Sequence, residues 1–171
     1  RSIRPNQILA VSLPFTLLDR HKQKDIVSVV RRKLWTPYGL RTLSNIDPRY
    51  RGTYAGDSTE RNYAYHNGTV WPWLLGPFIS AYLRVENHTP DQRAFAFQTF
   101  FRPLFQNQFK KAGLGNLSEI FDGDFPHLPR GCIAQAWSVA EPLRAYVEDI
   151  LSIRPRFEQK MRKQISNKQN K

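Results

Sequence analysis

From Lys22 to Trp35 the apolar positions Ile26, Val27, Val29, Val30 and Leu34 recur at three-and-four spacing, with Lys and Arg opposite. That period predicts an amphipathic helix. A second apolar segment runs from Val70 to Val85, and a third from about Pro90 to Lys111. The third carries its own start signal in Thr89-Pro90-Asp91-Gln92, with an N-cap hydroxyl, a first-turn proline and a glutamine three residues after the cap. It is expected to stop at Lys110-Lys111-Ala112-Gly113, where cations meet the helix C-terminus and glycine ends it. A fourth helix is predicted from about Ile133 to Leu151, burying Ala136, Trp137, Ala140, Leu143, Tyr146, Val147 and Ile150, and a short one over Pro5 to Leu13. The intervening stretches Thr36 to Thr69 and Gly113 to Gly131 are rich in Gly, Pro, Asp, Asn and Tyr and show no clear strand alternation. Connections of that length are uncommon unless they carry function. The pattern therefore predicts an all-α scaffold that displays a site on its loops.

Composition narrows this picture. A chain of 171 residues, 40% hydrophobic and 23% charged, suffices for one globular domain or a piece of a larger one. The net charge of +12 would suggest a polyanionic partner, but half of the excess lies between Arg154 and Lys171. We divide the chain into a helical domain, residues 1–153, and a basic tail, residues 154–171, expected to be disordered. The tail lacks interleaved aromatics for base stacking, so no nucleic-acid partner is expected. The longest apolar run is interrupted by Pro72, Gly76 and Pro77, so no membrane span is expected either. The single Cys132 has no metal-ligand companions and fits a reducing, cytoplasmic setting; no metal or cofactor is anticipated.

Two clusters could carry chemistry. Tyr65-His66-Asn67-Gly68-Thr69-Val70-Trp71-Pro72-Trp73 joins hydrogen-bonding side chains, a permissive glycine and two indoles at a helix entrance. Its imidazole and amide could grip sugar hydroxyls, and aromatic rings stack on the apolar C–H face of a pyranose. Loop aromatics of this kind are packing residues by default, and a lone histidine is more often a satisfied structural residue than a catalyst. The second cluster, Ser118-Glu119-Ile120-Phe121-Asp122-Gly123-Asp124-Phe125-Pro126-His127, places three carboxylates within six residues. Glycosidic hydrolysis needs two carboxyl groups flanking the scissile bond, while an acidic loop by itself is more often a solvated turn. The spacing does not match an EF-hand.

Five ordered segments then acquire a common meaning: SIRPNQ (2–7), TPYGLRTLS (36–44), DPRYRGTYAGD (47–57), AYHNGTVWPWLLGPF (64–78) and SEIFDGDFPHLPRGCIAQAWSVAE (118–141). Together they resemble the C-terminal amylo-α-1,6-glucosidase portion of the glycogen debranching enzyme family, of bacterial and archaeal type, from Arg1 to about Leu151. The resemblance implies the last part of an (α/α)6 toroid that hydrolyses α-1,6-linked glucose at branch stubs of glycogen or another branched α-glucan, with inversion. It places the general base at Glu119, ahead of Gly131 and Trp137-Ser138, with Asp122 and Asp124 as fallback candidates. Substrate contacts would come from His66, Asn67, Trp71, Tyr65, Asp122, Asp124 and Trp137. Asp57 and Arg61 would orient a loop, bind a hydroxyl or simply form an ion pair. The family pattern has aspartate where Asn62 stands and glutamine where Asn67 stands.

The general acid of the family is an aspartate in a Trp-Met-Asp type segment, which these residues do not contain. Inversion requires acid and base roughly 6.5–9.5 Å apart with a water beside the base, so one carboxylate cannot perform both tasks. The expectation is that the isolated chain is inactive and that the N-terminal part of the same domain is its partner. Another six-hairpin enzyme of trehalase or glucoamylase type, or a non-catalytic carbohydrate-binding fragment, are the competing readings.

Overall fold

The computed structural model describes residues 2–154. The short helix expected over Pro5 to Leu13 forms as a 3-10 turn (Pro5–Ile8) and α1 (Leu9–Ser12), and the predicted periodicity is seen in α2 (Arg20–Lys33). Asp19 starts α2 two residues earlier than expected, its side chain accepting the Lys22 N–H at 2.9 Å. Gln23, Val27 and Val30 form its buried stripe, and Arg31, Arg32 and Lys33 meet the negative end of the helix dipole.

The expectation of an all-α chain needs correction. Among the described residues a small antiparallel sheet runs in the order β1 (Trp35–Thr36), β2 (Gly39–Arg41), β3 (Val70–Trp71), β4 (Ile120–Phe121) and β5 (Pro129–Arg130). Trp35 pairs with Leu40, Leu40 with Trp71, Val70 with Phe121, and Phe121 with Pro129. Strands of two or three residues are too short for an alternating pattern to show. The long stretch before β3 also holds a helix, α3 (Ser58–Asn67), opened by a capping box in which Asp57 accepts the Thr59 and Glu60 N–H groups and Glu60 reaches back to the Asp57 N–H. Asp57 is thus a cap, and Arg61 donates to the Gly56 carbonyl.

Past β3 a 3-10 turn (Pro72–Leu74) leads into α4 (Leu75–Val85), which is buried on nearly every side. A helix apolar all round belongs in the core. Phe78 and Tyr82 of α4 meet Phe100 at centroid distances of 5.0 and 4.9 Å, and Trp35 caps the cluster at 5.5 Å. The third helical segment begins where expected, with Thr89 accepting the Gln92 N–H. It divides into α5 (Pro90–Ala96), a π turn (Phe97–Phe101) and α6 (Arg102–Gln108). The widened turn ends just ahead of Pro103, which offers no N–H to the preceding turn.

The fourth segment departs from its predicted face. It forms α7 (Ala136–Ala145) and a π turn (Tyr146–Ile150), and the buried residues are Ser138, Pro142, Ala145, Asp149 and Ile150. Ala136, Trp137, Ala140 and Leu143 are exposed instead. The helix packs on α4 through polar groups: Glu141 lies against Gly76, Asp149 accepts from Ser80 at 2.5 Å, and Arg144 bridges Glu141, Glu148, Asp149 and Ser80 at 3.0–3.3 Å. The face of the helix toward α4 thus carries Ser138, Pro142, Ala145 and the ion network, while its large apolar residues Trp137 and Leu143 lie on the other side. Arg154 pairs with Glu148 at 3.3 Å, while the rest of the expected tail, residues 155–171, lies outside the described residues. No described helix is long and apolar enough to cross a membrane.

Candidate active site

The sheet brings three distant loops together at one end. Thr42, just after β2, accepts the Gly68 N–H on its hydroxyl at 2.8 Å and donates its own N–H to the Thr69 carbonyl at 2.9 Å. Arg51 donates its N–H to Asn67, and Gly123 donates to Gly52. Backbones approach so closely that a Cβ on Gly68 would stand 1.8 Å from the Arg51 carbonyl oxygen. One on Gly123 would stand 2.2 Å from the carbonyl oxygen of Gly68. Only glycine permits that crossing.

Glu119 stands beside this crossing, immediately before β4, and is partly exposed. Its Oε1 accepts the Tyr65 hydroxyl at 2.7 Å and its Oε2 accepts the Cys132 N–H at 3.0 Å. The Glu119 N–H in turn donates to the Cys132 carbonyl at 2.9 Å. Gly131, in the left-handed region at φ 68°, leaves room for the carboxylate, since a Cβ there would fall 2.5 Å from Oε2. Burial pushes the Glu119 carboxyl up, but hydrogen bonds from Cys132 and Tyr65 outweigh it and hold the group below the ordinary glutamate range. The carboxylate is ionised at neutral pH.

Tyr65 also connects Glu119 to a wall of aromatic rings. Its ring meets Trp71 edge-on at 4.7 Å, Trp71 meets Trp137 at 5.8 Å, and Trp137 stacks on Trp73 at 5.6 Å and 24°. These rings, with His66, Thr42 and Asn6, line a cleft of about 260 Å³. Glu119 is reached from this cleft through the Tyr65 hydroxyl and does not itself line it. A larger groove of about 860 Å³ opens on the other side of Trp73 and Trp137, over the Arg144 ion network.

The remaining sequence candidates separate by environment. His66 is exposed, its ring 5.2 Å from that of Tyr65. Asn67 uses both ends of its amide within the protein, accepting from Arg4 at 2.8 Å and donating to the Tyr63 carbonyl at 2.9 Å. Asp122 is buried: Arg130 reaches Oδ2 through both Nε and Nη2 at 3.0 Å, and Oδ1 accepts the Tyr54 N–H at 2.8 Å. Asp124 is exposed and accepts the Tyr50 hydroxyl at 2.9 Å; burial and this bond push the Tyr50 hydroxyl up to about 12. Trp137 is 45% exposed at the start of α7.

Sequence reasoning overlooked four contributors: Arg4, Thr42, Arg130 and the Cys132 main chain. Arg4 pins the turn after α3 by donating to the His66 and Thr42 carbonyls at 2.7 and 3.2 Å as well as to Asn67. Its only signal was its place within the first of the five motif segments. Among the described residues no group of three or more His, Cys, Asp or Glu side chains is arranged to hold a metal ion.

The structure thus sets one ionised carboxylate, Glu119, behind Tyr65 of an aromatic-walled cleft that it does not itself line. The family model described as amylo-alpha-1,6-glucosidase matches residues 1–144, and the chain belongs to that family. Among curated relatives, the glycogen debranching enzyme of Saccharomyces cerevisiae is 32% identical over 87 residues. That segment is 47% of this chain and 6% of the yeast protein, so the match takes in a small part of that relative.

Proposed function

We propose that this chain supplies the base-bearing part of an amylo-α-1,6-glucosidase site that hydrolyses α-1,6-linked glucose at branch stubs of glycogen or a similar α-glucan, with inversion. The observation that carries this reading is the ionised Glu119 carboxylate, hydrogen-bonded to Tyr65, whose ring lines the cleft with Trp71 and Trp137. Each carboxylate oxygen has two lone-pair sites; the Tyr65 hydroxyl and the Cys132 N–H take one on each, and the Cys132 thiol also interacts with the group, which still leaves a site open. A water can therefore donate to Glu119 while its oxygen attacks the anomeric carbon from the face opposite the leaving group. Glu119 takes the water proton as the C–O bond forms. The glycosidic oxygen, departing with the bond electrons, needs a proton from a separate carboxylic acid.

Asp122 and Asp124 are ill suited to that second role. Asp122 is clasped by Arg130 and Tyr54, and Asp124 is engaged by Tyr50 of the stretch between β2 and α3. We assign both to holding the loop, and Asn67 to holding Arg4 against the turn. His66 is the partner for a sugar hydroxyl, and Trp71 and Trp137 form the stacking wall. The acid is an aspartate in the preceding part of the domain, so hydrolysis by the 171-residue chain alone is expected to be negligible.

The test is Glu119→Gln in the chain joined to the preceding part of its domain, assayed for glucose released from a branched limit dextrin. Loss of a general base lowers the rate by about 10²–10⁴-fold, with binding of glucose nearly retained. A rate equal to the unmodified enzyme removes Glu119 from this role.

A further inference from the structure

The hydroxyl of Tyr65 does more than complete the aromatic wall. It is the side-chain donor to Glu119 Oε1 at 2.7 Å, across 54 positions of sequence, and the ring that carries it is braced from several directions. Trp71 abuts that ring at 4.7 Å, Tyr54 at 6.2 Å and His66 at 5.2 Å. The Tyr65 carbonyl accepts the Thr69 hydroxyl at 2.9 Å, which anchors the main chain at that point. On the opposite side Glu119 is bounded by the Cys132 N–H and by Gly131. With one arm supplied by the backbone and the other by a tyrosine, the carboxylate has little rotational freedom left.

We propose that Tyr65 is a positioning residue for the base: its hydroxyl orients the Glu119 carboxylate so that its remaining lone pairs face the attacking water. The inference rests on the assignment of Glu119 as base. It extends that assignment by giving Tyr65 a polar duty beyond packing on sugar. The phenol suits this duty because it stays protonated: burial and the neighbouring Glu119 push it well above its usual range. It is therefore a permanent donor across the working pH range. The titratable groups around the pair are Tyr54 from the loop before α3, His66 beside Tyr65 on α3, and Cys132 after β5.

The experiment compares Tyr65→Phe with Glu119→Gln and the unmodified enzyme, each in the chain joined to the preceding part of its domain. Phenylalanine keeps the ring against Trp71 and removes only the donor, and circular dichroism checks that the fold is retained. The expected result for Tyr65→Phe is a fall in kcat of about tenfold with KM little changed. The acid limb of the kcat/KM profile should also move to higher pH, because Glu119 loses a bond that favours its anion. A folded Tyr65→Phe enzyme with unchanged kcat and an unmoved acid limb overturns the positioning role. A rise in KM alone overturns it as well, since it would make Tyr65 a sugar contact only. Full turnover by Glu119→Gln overturns the base assignment instead, and this inference with it.

Discussion

Replacing Asp122 by alanine should destabilise the chain far more than replacing Asp124, although the two residues are neighbours in one acidic segment. Asp122 is 7% exposed and its ion-pair partner Arg130 is 34% exposed. The substitution removes both Arg130 contacts at 3.0 Å and the acceptor for the Tyr54 N–H at 2.8 Å. Breaking a fully buried pair costs about 3–5 kcal/mol, and a hydrogen bond to a charged group is worth about 1.5–3 kcal/mol. Arg130 can turn to water, which places the net loss near the lower end, at about 3 kcal/mol. In a domain of this size that corresponds to a fall in Tm of about 6–12 °C. Asp124→Ala loses one exposed bond to Tyr50 and should move Tm by no more than about 2 °C. Thermal unfolding followed by circular dichroism on both variants decides the matter. Equal shifts, or a larger one for Asp124, would show that the Arg130–Asp122–Tyr54 clasp does not hold the loop.

Two further outcomes follow from the same region. Gly68→Ala drives a methyl group into the Arg51 carbonyl, a backbone atom that can yield only if the loop moves, so the urea midpoint should fall by the equivalent of about 2–3 kcal/mol; an unchanged midpoint refutes the close crossing. Glu119 holds its proton less tightly folded than unfolded, so its share of stability is present above the ordinary value of 4.5 and is lost as pH falls through the lower folded value. Urea titrations between neutral and acid pH should therefore show a shallower acid loss in Glu119→Gln than in the parent, and parallel curves would contradict the Tyr65 and Cys132 hydrogen bonds.

The parts of the fold that could be read from sequence are those whose signal is local. Val27 and Val30 lie on the buried stripe of α2 because helical burial repeats within three or four residues, and Thr89 starts its helix because a cap acts on the next N–H groups. The capping box of Asp57 and Glu60 was equally local, yet α3 escaped notice because only Ala64 of its residues is buried and no apolar stripe announces it. The sheet escaped because strands of two or three residues are too short to show an alternation. The face of α7 was not legible because the network of Arg144, Glu141 and Asp149 with Ser80 of α4 is a long-range arrangement that the helix's own apolar period does not announce.

Residue types and order by themselves determined the family, the aromatic character of the cleft and the presence of a carboxylate ahead of β4. They put Glu119 ahead of Asp122 and Asp124 only through the family resemblance, because the three share one short segment and one chemical group. Tertiary structure separated them by giving each a different partner: Tyr65 and Cys132 for Glu119, Arg130 for Asp122, Tyr50 for Asp124. Those partners are 8 to 74 positions away. The ionisation and orientation of a carboxyl group depend on what lies within a few ångströms in space, and that neighbourhood exists only once the chain has folded.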